Sequence, residues 1–479
     1  MKNLILLFWG ILIVSTVLMA VTIHIPGDYP TIQAGIDASQ NGDTILVAQG
    51  TYNEQIFFRG KEIVVKSENG PNNTIIDPNM VGCAVNFIEN EGPGAVIEGF
   101  TITNSYFGST GWYSGVKCLA NTYPTIRDNI ISQNGGWWAY FGGGIHADSS
   151  YPIIENNKII DNASVYYGGG IYIIDCDTAI VRNNFISGNI VYSGYGVAHG
   201  GGIYAANSNV LIEKNFIIDN TADINYAYGG GISLEFAGNY AVINNTIAGN
   251  HGKGVYLCND DTVDFKNNIL VNTTSGGGMV NNNSIVILSL DFNDVWNNLP
   301  YNYAGCEPGR FDISQDPLFL PGPEHNFYLN DDSPCIDAAS YQANLDPDGT
   351  RADIGAQYHN QENINTAITP LEWPIIIPPG GGDFDCILSL TNNIVSPQGF
   401  DFWVEALLPD STIFGPIILR QGLQFQPYFS TGRGLTQAVP ASAPPGTYKY
   451  RAISGNFSTQ EIFYQAELPF IKTAGFSGE

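Results

Sequence analysis

The chain has 479 residues, enough for more than one domain, and carries 18 Lys and Arg against 45 Asp and Glu, a net charge of −27. That charge excludes nucleic acid and anionic membrane as partners, which need a basic footprint, and it repels a polyanionic glycan unless a cation bridges the two. Only 13% of residues are charged while Gly numbers 55, Tyr 26 and Phe 25, which disfavours a disordered chain and a helix bundle and points to strands joined by many turns.

Residues 1–20 read as a secretory signal peptide. Lys2 supplies the positive start, residues 4–18 are apolar, and Ala20 is a plausible cleavage point. The apolar run is short for a spanning helix, so the cleaved chain is expected to have no membrane span. Residues 30–39 then carry Ile32 and Ile36 four apart, a helical spacing. A helix there would cover the open edge of the strands that follow, in the stretches DTILVA, QIFF, EIVVKSE and TIID.

The middle of the chain repeats. IRDNIISQN, IENNKIIDN, VRNNFISGN, IEKNFIIDN and VINNTIAGN align, with a weaker sixth copy in DFKNNILVN. Asn recurs at 129, 157, 184, 215, 245 and 267, and again at 134, 162, 189, 220, 250 and 272. A glycine triplet and an apolar residue follow four of the copies, at 142–145, 168–171, 200–203 and 229–232. Units of this size hold short strands and turns with no room for a helix. They bury their apolar faces only by stacking in register, each strand parallel to its equivalent one rung away. The asparagines are expected to stack as ladders at the turns. Arg127, Glu155, Arg182 and Glu213 share one repeat position and alternate in sign, which predicts a surface ladder of modest energy.

After each triplet, Ile145, Ile171, Ile203, Ile232 and Val255 should point inward. His146, Tyr172, Tyr204, Ser233 and Tyr256 should then point outward, with Asp148 and Glu235 two residues further on. The long insertions before the triplets are rich in aromatics, among them Trp137 and Trp138. The pattern predicts one aromatic-walled groove, lined by Trp137, Trp138, Tyr172, Tyr204 and Tyr256, with Asp148 and Glu235 in its floor. The competing reading is that these rings pack on each other as loop cores. Asp148 and Glu235 lie three rungs apart, roughly 14 Å, too far for a glycosidase pair. Glu235 and Asp260 are one rung apart, roughly 8 Å, and would suit an inverting pair. His146, His199 and His251, with Lys253, are the only bases or cations near this face. Asp148, Glu235, Asp260 and His146 are therefore the candidate catalytic residues.

Residues 286–357 lose the period and read as irregular last rungs. Asp346, Asp348 and Asp353, with Gly349, have the alternating acids of a Ca²⁺ loop, without completing the EF-hand pattern. An Asp/Gly turn is the competing reading, and Ca²⁺ is the one cofactor the sequence suggests. Residues 358–383 read as a linker, and 384–473 alternate like a small antiparallel β-sandwich. Seven cysteines are scattered, with Cys306 and Cys335 the best disulfide candidate.

The stretch IPGDYPTIQAGIDASQNGDTILVAQGTYNE, the repeats, and SPCIDAASYQANLDPDGTRADIGAQYH resemble secreted bacterial right-handed parallel β-helix proteins of the pectate-lyase-like superfamily. The resemblance implies an all-β chain: a right-handed parallel β-helix over 21–357 with an N-terminal capping helix, followed by the sandwich. That superfamily holds lyases, hydrolases, esterases, epimerases and non-enzymatic surface proteins, so it implies no single activity. The pectin esterase, polygalacturonase and alginate epimerase signatures are absent. The expected function is a secreted bacterial protein, monomeric, that binds an extracellular or cell-surface polysaccharide, with or without processing it. If it is an enzyme, it is a polysaccharide lyase or a glycoside hydrolase. The alternative is a non-catalytic adhesive protein with the solenoid as spacer.

Overall fold

The structure is a computed structural model. It describes residues 20–474 except 107–110, 112, 138, 193–197, 223–226, 259–261, 283–286, 321–326, 331, 348–349, 360–363, 372–373, 393–396 and 427–428. The expected signal peptide up to residue 19, Trp138, Asp260 and Asp348 lie outside the described residues. Among those described, no helix is long and apolar enough to cross a membrane. The chain divides into two compact units, Met1–Ser314 and Gln315–Glu479.

The first unit opens with the predicted helix, Ile32–Ala38. The Thr31 hydroxyl accepts from the Ala34 N–H at 3.1 Å, capping its N-terminus. Ile32 and Ile36 are fully buried beside Ile25 and Ile45, so the helix closes the end of the core. Beyond it, short strands repeat in threes, as in Ile145–Asp148, Ile153–Glu155 and Lys158–Ile160. Each strand pairs in parallel with its equivalent on the next rung, giving three parallel sheets of 11, 10 and 10 strands. The unit is a right-handed parallel β-helix.

The turns explain the asparagines. Asp128, Asn156, Asn183, Lys214, Asn244 and Asn267 sit at φ between 53° and 57° and redirect the chain between two sheets. The residue after each is the ladder member: Asn129, Asn157, Asn184, Asn215, Asn245 and Asn268. Each of the first five donates its backbone N–H to the Oδ1 of the next, at 2.9–3.0 Å. The expected column is real, but its sixth member is Asn268 rather than Asn267, because Asn267 takes the left-handed turn position. The second column runs through Asn134, Asn162, Asn189, Asn220 and Asn250 in the same way. Thr273 takes the next place, its N–H donating to Asn298 Oδ1, while Asn272 again holds the turn.

On the first sheet, Arg127 pairs with Glu98 and Arg182 with Glu155, both at 2.6 Å, and Lys66 joins Glu98 at 2.8 Å. The charge ladder thus begins two rungs earlier than the sequence suggested, at Lys66. All seven cysteines are free, Cys306 and Cys335 included, so the expected disulfide is not formed.

The second unit ends in two layers, antiparallel except for one short parallel pair at an edge, Ile376–Ile377 with Glu461–Lys472. Gly382–Asn392 lies between Ile364–Pro370 and Ser430–Val439. The other layer runs in the order Ile376–Ile377, Glu461–Lys472, Gly446–Asn456, Gln398–Leu407, Ile413–Phe425. Phe384, Phe402, Val404, Tyr450 and Phe470 fill the space between. Two stretches read as linker from composition, 364–370 and 376–377, are therefore strands of the sandwich. Ile364 and Thr366 alternate inward, a pattern too short to stand out beside the Pro/Gly run that follows.

Candidate functional site

The site is built on the third sheet, the one whose strands follow the glycine triplets. Ile145, Ile171, Ile203, Ile232 and Val255 point inward and are fully buried. His146, Tyr172, Tyr204, Ser233 and Tyr256 register one per rung on the outer side. The groove expected above them is not open. The insertions fold back and form a second layer, in which Phe141, Tyr167, His199 and Tyr228 pair rung by rung. Each of these is the residue just before a glycine triplet. Phe141 stacks on Tyr172 at 5.2 Å, Tyr167 packs on Tyr204 at 4.8 Å, and Tyr228 on Tyr256 at 4.7 Å. Tyr172, Tyr204 and Tyr256 are therefore buried under the layer instead of lining a groove. The reason is packing: the residues just before the triplets stack rung by rung and bury the rings beneath them.

His146 is also buried, under Phe141 and Tyr172. Burial first, and then Lys117 in register beside it, pull its pKa down to about 3. It is a neutral core residue and not a surface base, which removes it from the catalytic candidates. Asp148 is half-buried at the end of its strand and accepts from the Ser149 hydroxyl at 2.8 Å. Three registers separate it from Glu235, through Ile174 and Ala206, so the two do not meet.

Glu235 is held instead by a neighbour the sequence did not pair with it. Its Oε1 contacts His199 Nδ1 from the second layer and accepts from the Ser233 hydroxyl at 2.6 Å. The His199 ring lies between Tyr167, at 5.0 Å, and Tyr228, at 4.7 Å. One rung on, Lys253 Nζ sits 4.7 Å from the Tyr228 ring centroid and 5.3 Å from that of Tyr256. Burial there pulls the Lys253 ammonium below the usual lysine range. A carboxylate on Nδ1 fixes the imidazole tautomer and leaves Nε2 as a base. The sequence signal that could have found this pair is the position before the glycines, where His199 replaces a tyrosine.

Beside the second layer runs a strip of one residue per rung: Leu119, Asp148, Ile174, Ala206, Glu235 and Cys258. On the insertion side, Trp137 is 64% exposed, and its ring stacks on Tyr192 at 4.2 Å and 8°. Of the five residues predicted to line the groove, Trp137 is the one the structure presents to solvent among those described.

Of the aspartates proposed for Ca²⁺, Asp346 and Asp353 are engaged in turns. Asp353 accepts from the backbone N–H groups of Asp337 and His359, at 2.7 and 2.5 Å, and Asp346 accepts from the Asp353 N–H at 3.0 Å. They lock turns, and among the described residues no group of three or more His, Cys, Asp or Glu is placed to hold a metal ion. Burial outweighs the two N–H donors and pushes the Asp353 carboxyl up to about 7. Its folded pKa thus lies above the unfolded value near 3.9, so the folded state binds this proton more tightly. The contribution is full below about pH 4 and is lost as pH rises through about 7. Urea melts of the wild type and of Asp353→Asn at pH 4.5 and 7.5 test this: the wild type is expected to lose more stability over that span than the variant.

The right handed beta helix region family matches residues 53–207 and 167–306, together more than half of the chain. No curated protein matches it. Among solved structures, pectate lyase Pel9A is 16% identical, with 68% of this chain and 90% of that chain covered and a TM-score of 0.43. The PL6 family alginate lyase AlyGC is 11% identical, with 75% and 62% covered and a TM-score of 0.28. The enzymatically active domain of Bacteriophage CBA120 tailspike protein 4 is 10% identical, with 92% and 65% covered and a TM-score of 0.28. These likenesses are distant and transfer no residue role. The ladders and the matched repeats together place the chain in the right-handed parallel β-helix family.

Proposed function

We propose that the protein is secreted and binds a neutral polysaccharide along the insertion side of the third sheet. The observation that carries this is the exposed Trp137 ring stacked on Tyr192. An exposed indole held flat by a second ring is a rigid platform for the apolar face of a sugar, and ordering it on binding sacrifices little entropy. On the same sheet, half-buried Asp148 is available for sugar hydroxyls. The net charge of −27 favours an uncharged chain over a polyuronate, which would need Ca²⁺ between like charges.

Affinity electrophoresis against a panel of neutral polysaccharides tests the proposal. Trp137→Ala is expected to weaken binding about 10-fold, the effect of losing one aromatic anchor. Its melting temperature should stay at the wild-type value, because the ring is mostly outside the core. Equal binding by wild type and variant would contradict the assignment. Binding with no product released from any glycan would assign the chain to the adhesive class.

A further inference from the structure

We infer that His199, Tyr167 and Tyr228 form a catalytic centre that hydrolyses acyl esters carried by the bound polysaccharide. The inference rests on the glycan-binding reading above and adds an activity to it. His199 Nδ1 is engaged by Glu235 on the sheet. Nε2 is the ring nitrogen that Glu235 leaves unengaged, on a side chain 11% exposed. The phenol rings of Tyr167 and Tyr228 flank the imidazole at 5.0 and 4.7 Å, and both residues are only half-buried. Among the described residues, neither phenol hydroxyl nor Nε2 has a hydrogen-bond partner. A base between two unspent donors is a constellation that packing alone does not require.

The surroundings select the reaction. Glycoside hydrolysis uses two carboxylates about 5–10 Å apart, whereas Glu235 is committed to His199 and, among the described candidates, Asp148 is three registers away. Elimination from a uronate needs a cation at its carboxylate. The Lys253 ammonium is already taken up over the Tyr228 and Tyr256 rings, and the chain is strongly acidic. An ester carbonyl needs only a base for water and donors for the oxyanion.

The step balances with water as co-reactant. Nε2 takes a proton from water as the water oxygen bonds to the ester carbonyl carbon. The carbonyl oxygen becomes an oxyanion that accepts from the Tyr167 and Tyr228 hydroxyls. Collapse breaks the bond to the sugar oxygen, which takes the proton back from Nε2. The sugar hydroxyl and the carboxylic acid leave, and the acid gives its proton to solvent. Glu235 is a positioning residue that holds Nδ1–H and balances the imidazolium.

The test uses the full chain, acetylated xylan and 4-nitrophenyl acetate, with acetate and nitrophenol release as readouts and binding to deacetylated xylan measured in parallel. The wild type is expected to release acetate, and His199→Asn to lose at least about 100-fold. Glu235→Gln is expected to lower kcat about 10-fold with KM unchanged, a split that a purely structural role would not produce. Tyr228→Phe removes one oxygen and is expected to lower kcat about 10-fold, so it decides the matter even if His199→Asn fails to fold. Wild type that binds xylan but releases no acetate overturns the inference and leaves the binding reading intact. So does a folded His199→Asn or Tyr228→Phe as active as wild type. Absence of xylan binding with nitrophenol still released would overturn the glycan reading alone.

Discussion

Replacing Asn184 by Ala is expected to destabilise the β-helix by about 2–6 kcal/mol, since each of two buried backbone groups left unsatisfied costs about 1–3 kcal/mol. Asn184 is almost fully buried. Its Nδ2 donates to the Ile154 carbonyl at 2.8 Å and to Asn215 Oδ1 at 3.0 Å. Its Oδ1 accepts from the Asn157 N–H at 2.9 Å and from Asn157 Nδ2 at 3.1 Å. Alanine leaves a backbone donor and a backbone acceptor without their partner where water does not reach, and it cuts a ladder that runs through neighbouring rungs. Asn209 is the control. It is exposed and also bonds the next rung, accepting from Asn239 Nδ2 at 2.8 Å. Asn209→Ala should fall within about 0.5 kcal/mol of wild type. Urea unfolding of both variants checks the pair, and equal midpoint shifts would mean that the ladder does not hold the turns.

Gly201→Ala is expected to be as severe, about 3 kcal/mol or more, for a steric reason. A Cβ at this position would lie 2.5 Å from the Gly230 carbonyl oxygen and 2.6 Å from that of Thr221. Both atoms are backbone and belong to the next rung, so the clash cannot be relieved by a side-chain rotation. The rung spacing itself would have to open. Gly434, in the sandwich strand Ser430–Val439, has nothing within 4 Å of such a Cβ, and Gly434→Ala should be neutral. Thermal melts followed by far-ultraviolet circular dichroism distinguish the two. A Gly201→Ala protein that melts with the wild type would show that the triplets are not in close backbone contact.

The solenoid was legible because its constraints are periodic. A ladder asparagine must recur at each turn and a triplet must recur at each close approach, so single positions that vary do not hide the pattern. The slip from Asn268 to Asn267 arose where two asparagines adjoin and only backbone conformation tells the ladder member from the left-handed one. The inward and outward assignments after the triplets followed from strand alternation. Alternation cannot say whether an outward ring meets solvent or another layer, and Tyr172, Tyr204 and Tyr256 met Phe141, Tyr167 and Tyr228. For the same reason His146 read as a surface base and is a core residue. His199 and Glu235 were each visible, 36 positions apart, but their contact depends on how far an insertion of irregular length folds back.

Hydrogen–deuterium exchange with and without a neutral oligosaccharide decides whether the sugar sits on the insertion side of the third sheet. Amide exchange reports local opening, and a ligand slows it where it binds. Added protection is expected in the described insertions around Trp137, Tyr167, Tyr192 and Tyr228 and in the strands Ile145–Asp148, Ile171–Ile174 and Ile232–Glu235. The other two sheets and the sandwich should exchange as in the free protein. Protection confined to the sandwich, or spread over the sheet that carries Arg127 and Arg182, would contradict binding at this face.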